Sequence, residues 1–112
     1  MGKKFYITTP IYYPSAKPHM GHAYSSIIAD FFARFKRMDG FDVQFLTGTD
    51  EHGLKIQRSA EKQNIDPLEF CNQISQTFRD LSKTLNLTNT DFIRTTENRH
   101  KKINTLWEKW CK

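Results

Sequence analysis

Residues 13–26 read YPSAKPHMGHAYSS, and the tetrapeptide HMGH at positions 19–22 is the part from which the fold can be worked out. The segment before it should be extended, because proline fixes φ and lacks the amide hydrogen that a helix uses, and three prolines stand there: Pro10, Pro14 and Pro18. After His22, apolar residues recur at helical spacing as far as Met38. The two histidines of the tetrapeptide are therefore predicted to lie where a loop becomes the first turn of a helix.

The start of a helix favours an anion, because its first backbone N–H groups are unpaired and the helix dipole is positive there. Gly21 would let a flat ring or a backbone come close. These features predict a phosphate-binding loop. The alternative is a pair of histidines that only cap backbone groups, and the tetrapeptide alone does not decide between them. A zinc site is poorly supported, since no cysteine or carboxylate nearby would complete the coordination.

A strand, a helix and a second strand surround this loop. Residues 4–9 are β-branched and aromatic and predict a strand, a helix runs from about Ala23 to Gly40, and residues 41–47 predict a second, buried strand. This is a βαβ unit with parallel strands. Residues 48–53, GTDEHG, then form a loop at the carboxyl end of the second strand, where open α/β sheets bind ligands. Both loops should face one crevice.

The later part of the chain predicts further helices and one short strand. A short helix covers 53–63, and a longer one starts with Asp66 as N-cap, Pro67 at the first position and Glu69 in the capping-box position. Its apolar stripe comprises Leu68, Cys71, Ile74, Phe78, Leu81 and Leu85. Residues 91–94 are a possible strand. Thr96 is predicted to cap a last helix, in which Ile103, Leu106, Trp107 and Trp110 share one face.

Composition limits the classes of protein that fit. A chain of 112 residues is one domain or part of one. Its formal charge of +5 and pI near 9.3 suit a polyanion such as RNA or a nucleotide, or simply a basic soluble surface. Two cysteines are too few for a disulfide framework. No segment reaches the roughly 20 apolar residues of a membrane span, and no signal sequence is evident, so a cytoplasmic protein without a membrane partner is expected.

The tetrapeptide and its flanks resemble a known family. HMGH is similar to the HIGH signature of class I aminoacyl-tRNA synthetases, and residues 7–25, ITTPIYYPSAKPHMGHAYS, together with FLTGTDEHG at 45–53, resemble the methionyl-tRNA synthetases. The resemblance extends from Phe5 to about His100. It implies an α/β fold, namely the first half of a Rossmann-like catalytic domain followed by further helices. Family members are several times longer and carry a KMSKS lysine loop without a counterpart here, so an amino-terminal fragment is expected.

The resemblance also implies roles for the signature residues. His19 and His22 would be catalytic and, with Gly21, would bind ATP and stabilise its α-phosphate while the methionine carboxylate attacks. The signature region would comprise Tyr13, Pro14, Ser15, Ala16, Lys17, Pro18, His19, Met20, Gly21, His22 and Ala23. No metal ligand is expected in the chain, and Mg²⁺ would accompany ATP.

Methionine would be bound by residues near both loops. By resemblance, Asp50 would pair with the ammonium group, the backbone near Ile11 would receive the same group, and Tyr13 would line the side-chain pocket. Asp50 could instead only form a turn, and Tyr13 could simply pack against the proline-rich loop. Glu51 and His52 would belong to the site or would only shape its loop.

The implied function is that of a methionine–tRNA ligase, which makes methionyl-adenylate from methionine and ATP and passes the methionyl group to tRNA(Met). The chain alone is expected to be inactive and to self-associate through its open strand edge and apolar helix faces. Two alternatives remain at this point. One is a small nucleotidyltransferase that uses HxGH on an ATP α-phosphate, and the other is a non-catalytic, basic RNA-binding fragment.

Overall fold

The computed structural model describes residues 3–14 and 17–111. Its centre is a three-stranded sheet of β1 (Lys4–Thr8), β2 (Asp42–Thr49) and β3 (Asp91–Arg94), in the order β1-β2-β3. Both pairings are parallel: Phe5 lies opposite Val43, and β3 lies along the second half of β2. The predicted α/β class with parallel strands and crossover helices is confirmed.

Strand β2 extends two residues beyond its predicted end, so Gly48 and Thr49 belong to the sheet and the loop begins at Asp50. Pairing with β3 accounts for the difference, since Gly48 lies opposite Ile93 in the ladder. A Cβ at position 48 would overlap the Ile93 carbonyl oxygen. A glycine in a strand often marks such a close approach, and at the sequence level it looked like the start of a loop.

Helix α1 (Met20–Met38) connects the first two strands and begins three residues before the predicted start at Ala23. The N-cap is His19, so the capping geometry moves the helix start into the HMGH tetrapeptide. At the other end Gly40 has φ +85°, as predicted for a left-handed C-terminal cap. The amides of Gly40 and Phe41 donate to carbonyls of the last turn at 3.1 and 2.9 Å.

Helices α2 (Leu54–Lys62) and α3 (Pro67–Thr84) form close to their predicted positions. The Asp66 carboxylate accepts the amides of residues 68 and 69, as predicted for an N-cap. The predicted apolar stripe of α3 is only partly correct, because Leu68 is 52% exposed. The first turn of α3 instead buries Phe70, which packs with residues of α2.

The predicted last helix is two short ones, α4 (Asn98–Lys101) and α5 (Ile103–Trp110), separated at Lys102. Thr96 is not the N-cap, which was a wrong prediction; Glu97 occupies that position. The Thr96 hydroxyl donates to the buried carboxylate of Glu51 at 2.6 Å and so is not available to cap a helix. No residue of α4 or α5 is buried.

The core lies on one face of the sheet. Helix α1 contributes Ala29 and Ala33, which pack against Val43 and Phe45 of β2. The opposite face is open, and Tyr6 of β1 is 64% exposed there. Within residues 3–14 and 17–111, no helix is both long and apolar enough to cross a membrane.

Candidate active site

Two loops leave the sheet at the same edge, one after β1 and one after β2. The Tyr12 amide donates to the Gly48 carbonyl at 3.0 Å, and the Asp50 amide donates to the Tyr12 carbonyl at 2.8 Å. The Tyr13 hydroxyl donates to the carbonyl of His52. The segment that leads into HMGH and the GTDEHG loop therefore lie side by side at this edge; that the two motifs face one crevice stays a prediction. Ser15 and Ala16 of the predicted signature region lie outside the described residues.

The imidazoles of His19 and His22 both accept hydrogen bonds from backbone amides at the start of α1. The Gly21 amide donates to His19 Nδ1 and the His19 amide donates to His22 Nδ1, both at 3.0 Å. This is a reciprocal capping box built from two imidazoles. The two rings lie face to face with centroids 3.9 Å apart and 30° between their planes. The predicted position of the two histidines, where a loop becomes the first turn of a helix, is confirmed, and the capping that was the alternative to phosphate binding is present.

The capping bonds determine where each neutral imidazole carries its proton. Both Nδ1 atoms accept an amide hydrogen, so the proton of a neutral ring is on Nε2. Burial, assisted by the charge of neighbouring His19, lowers the pKa of His22 from its ordinary value of 6.5. His22 is therefore neutral at pH 7 with one N–H donor. Capping and ligand donation are compatible, because capping is what orients the donor.

Gly21 is needed for this arrangement. A Cβ at position 21 would lie 2.8 Å from His19 Cε1. The flat ring that approaches this glycine is the imidazole of the neighbouring histidine. An alanine here would push the His19 ring off the backbone amide that it accepts.

Asp50 is half-buried at the start of the second loop. Its Oδ1 accepts the His52 amide at 3.4 Å, which is long for a hydrogen bond. This is the turn interaction that was the alternative to ligand binding. In the part of the chain that the structure describes, the other carboxylate oxygen accepts no hydrogen bond. The carboxylate thus keeps acceptor capacity for a cation.

Ile11 and Tyr13 are both exposed, at 53% and 40%. Ile11 lines a shallow cavity of about 210 Å³, together with Gly48 and Ile93, on the open face of the sheet. Tyr13 does not line this cavity; its hydroxyl closes over the second loop instead. A side chain at Gly53, which has φ +120°, would collide with that hydroxyl. Gly53 and Tyr13 together therefore set the width between the two loops.

Glu51 is a buried carboxylate, and from the sequence it could either belong to the site or only shape the loop. It is 4% exposed, and Arg94 Nε donates to its two oxygens at 3.0 and 2.8 Å. The hydroxyls of Thr49 and Thr96 also donate to it, at 2.9 and 2.6 Å. Each carboxylate oxygen of Glu51 thus accepts two hydrogen bonds, and Glu51 holds the second loop against β3. The sequence signal for this contact was the opposite charge of Glu51, just after β2, and Arg94, at the end of the adjacent strand β3.

Tyr12 is the second residue that sequence reasoning missed. It is 6% exposed, and its hydroxyl lies 2.6 Å from Ser26 Oγ. Its ring packs against both His22 and Phe78. A tyrosine in a proline-rich loop looks exposed in sequence, and nothing local indicated a partner in α3. Among residues 3–14 and 17–111, no three side chains of histidine, cysteine, aspartate or glutamate are grouped to hold a metal ion.

The family described as "tRNA synthetases class I (M)" matches residues 5–112. The chain belongs to the methionyl-tRNA synthetase family. The methionine–tRNA ligase of Rickettsia conorii is 54% identical over 110 residues, which are 97% of this chain and 22% of that protein. The ligase of Bacillus subtilis is 58% identical over 99 residues, or 88% of this chain and 15% of that protein.

A solved structure of a methionyl-tRNA synthetase agrees with the fold. It is the Mycobacterium tuberculosis enzyme bound by methionyl-adenylate, with a TM-score of 0.91 and 45% identity over 95% of this chain and 21% of that one. This chain thus spans about a fifth of the length of these methionyl-tRNA synthetases. The family match favours a methionyl-tRNA synthetase over the small HxGH nucleotidyltransferase considered from sequence.

Proposed function

We propose that the protein with this sequence is a methionine–tRNA ligase, which forms methionyl-adenylate from methionine and ATP and then transfers the methionyl group to tRNA(Met). The observation that carries the proposal is the pair of Nε2–H donors on His19 and His22 at the amino end of α1. The similarity to a synthetase solved with methionyl-adenylate supports it. Mg²⁺ enters as part of the substrate MgATP.

The two histidines would act on the α-phosphate of ATP. An oxygen of the methionine carboxylate attacks the α-phosphorus, and the bond to the bridging oxygen breaks, so pyrophosphate leaves with that electron pair. Negative charge on the phosphoryl oxygens increases in the transition state, and preorganised N–H donors stabilise it there. Neutral imidazoles suit this role, because they donate without requiring a pH low enough to protonate the ring. No covalent protein intermediate is needed.

Methionine would be held by the second loop and the segment after β1. The Asp50 carboxylate, with its remaining acceptor capacity, would pair with the methionine ammonium group. The backbone at Ile11 is hydrogen-bonded into the same edge through its neighbour Tyr12 and would receive the same group. Tyr13 would contribute an apolar wall for the thioether chain, which needs contact area and no hydrogen-bond partner.

The test is methionine-dependent ATP–pyrophosphate exchange by the full-length protein and two variants. His22→Ala should lower the rate of adenylate formation about 100- to 1000-fold with little effect on ATP binding, because the donor acts on developing charge. Asp50→Ala should weaken methionine binding by about 2–5 kcal/mol, because it removes a charged partner. His100→Ala, in α4, is the matched control: within the described residues its side chain makes no hydrogen bond to either loop, so both parameters should stay unchanged.

Two outcomes would contradict the assignment. If His22→Ala and Asp50→Ala gave the same kinetic profile, their roles would not be divided as proposed. If the protein bound tRNA but catalysed no exchange with any amino acid, the basic RNA-binding alternative would be correct. The 112-residue chain by itself should show no useful exchange, because positioned groups act as a unit. A rate within about tenfold of a full-length relative would refute that expectation.

The proposal also includes tRNA(Met) as the acceptor and the cytoplasm as the compartment. Transfer to tRNA(Met) is proposed from the family, and the +5 charge of the chain is compatible with an RNA partner. The mitochondrial methionine–tRNA ligase of Takifugu rubripes is 53% identical over 110 residues, so identity at this level does not distinguish compartments. A cytoplasmic location stays a prediction.

A further inference from the structure

The His22 imidazole lies in a corner formed by two other aromatic rings. Tyr12 meets it edge-on with ring centroids 4.9 Å apart, and Phe78 of α3 meets it edge-on at 5.0 Å. Tyr12 and Phe78 in turn stack on each other at 5.5 Å with 21° between their planes. Three rings from the first loop, α1 and α3 therefore pack as one unit. We call the pair Tyr12 and Phe78 the aromatic corner.

The aromatic corner is held by contacts that do not involve the His22 imidazole, although the Tyr12 hydroxyl also lies 3.3 Å from the His22 backbone carbonyl. Tyr12 and Phe78 are only 6% and 2% exposed, and Phe92 of β3 packs into the same cluster. The Tyr12 hydroxyl is hydrogen-bonded to Ser26 Oγ at 2.6 Å, one turn of α1 after His22. Aromatic rings in edge-to-face contact at these distances have a preferred geometry and not only buried area. The corner is thus a rigid wall against which the imidazole rests.

We propose that Tyr12 and Phe78 are positioning residues for His22, holding its imidazole in one orientation and in the neutral form that donates from Nε2. The inference deepens the proposed function, since the catalytic value of that orientation depends on donation to ATP. A ring walled on two sides cannot turn away from the Nδ1 bond with the His19 amide. The donor is then aimed before the substrate arrives, which is the condition for effective transition-state stabilisation.

The surroundings of His22 explain why its neutral form is favoured. The titratable groups that face it are the His19 imidazole on its own helix and the Tyr12 phenol from the first loop, whereas α3 brings the uncharged ring of Phe78. Desolvation by burial comes first, and the charge of His19 second, in lowering the pKa of His22. No lysine or arginine side chain is among these causes, so the packing around His22 and its neighbour His19 keep the ring neutral.

Nitrogen-15 NMR of the histidine rings in the 112-residue chain tests the proposal, because it reports both tautomer and titration midpoint. It is recorded across pH at a concentration where light scattering shows a monomer. His22 should carry its proton on Nε2 and titrate below 6.5, its ordinary value. Phe78→Ala admits water to one side of the ring and should raise the midpoint toward 6.5, with mixed tautomers, while the contribution of His19 remains. The control Phe35→Ala removes a half-exposed phenylalanine of α1 and should leave His22 unchanged.

Phe78→Leu is the second variant, in case alanine prevents folding; it keeps an apolar side chain and should give a smaller rise in the midpoint. The unsubstituted chain alone can overturn the proposal, if His22 shows mixed tautomers or titrates at 6.5. An unchanged His22 in folded Phe78→Ala would overturn it as well. The NMR readout requires no catalysis, so failure of the exchange assay would refute the proposed function and leave the positioning of His22 standing.

Discussion

Helices α3 and α5 both carry apolar side chains at helical spacing, but only α3 buries them. In α3, Phe70 and Phe78 are 1% and 2% exposed. In α5, Trp107 and Trp110 are 65% and 80% exposed. The same periodic pattern thus produces a core helix in one place and an open apolar surface in the other. Periodicity predicts a helix and its apolar face, and it does not predict what the face contacts.

The difference follows from what lies beside each helix. Helix α3 packs against Ile56 and Ala60 of α2 with its first half, and against Phe92 of β3 with its second. Its start is capped by the Asp66 side chain. Helix α5 follows α4 directly, starts at Lys102 without a side-chain cap, and buries none of its residues. Most helical stability in proteins comes from tertiary packing, so α5 should contribute little to the stability of the chain.

Of the substitutions that test the difference between α3 and α5, Phe70→Ala in α3 is expected to have the largest effect on stability. Removal of a fully buried phenylalanine leaves a cavity and should lower the free energy of unfolding by about 3–5 kcal/mol. Trp107→Ala in α5 removes a larger ring and should change it by less than about 0.5 kcal/mol, since that ring faces water. Urea unfolding followed by far-ultraviolet circular dichroism measures both. Equal losses in the two variants would mean that α5 is packed in solution.

The two cysteines allow a second comparison, because Cys71 is buried in α3 and Cys111 is exposed after α5. Burial, with a smaller contribution from the Glu51 carboxylate, raises the pKa of the Cys71 thiol from 9.0 to about 11. A pKa that is about two units higher leaves about a hundredfold less thiolate at Cys71 near neutral pH. The thiolate is the form that reacts. At pH 8 a disulfide reagent should therefore label the exposed Cys111 much faster than the buried Cys71.

The control for the thiol comparison is Cys111→Ser, which should abolish the fast phase and leave the slow one. Unfolding in urea should make both cysteines react at similar rates. Fast labelling of two thiols in the native chain would mean that α3 opens readily, and the contrast between the helices would be lost.

The smallest effect on stability is expected when the exposed tryptophans of α5 are replaced by polar residues. Its exposed apolar face, with the open sheet face, predicts self-association at micromolar concentration, because repulsion from the +5 charge is screened beyond about 8 Å at physiological salt. Trp107→Gln with Trp110→Gln should reduce light scattering and change the unfolding free energy by less than about 0.5 kcal/mol. A monomer whose tryptophan emission is already blue-shifted and protected from quencher would contradict both expectations.

Much of the fold was predictable because its signals are local. The proline-rich entry, the start of α1 and the glycine at its end act over a few residues, and β1, α2 and β3 lie within a residue or two of their predicted positions. The capping pair at 19 and 22 was recognisable for the same reason, since both histidines lie within one helical turn. The start of α1 was predicted three residues too late, because His19 caps the helix, and the last helix is divided at Lys102. The boundaries at Gly48 and Thr96 failed because a distant partner decides the conformation there.

The sequence by itself determined the βαβ unit, the family, and the placing of HMGH and Asp50 at one edge of a parallel sheet. Only the tertiary structure decided that Glu51 is held by Arg94, 43 positions away, and that Tyr12 and Phe78 wall in His22. It also decided that α5 stays exposed while α3 is buried. The physical reason is range: caps, turns and periodicity act between near neighbours, whereas burial depends on which segments the folded chain brings together.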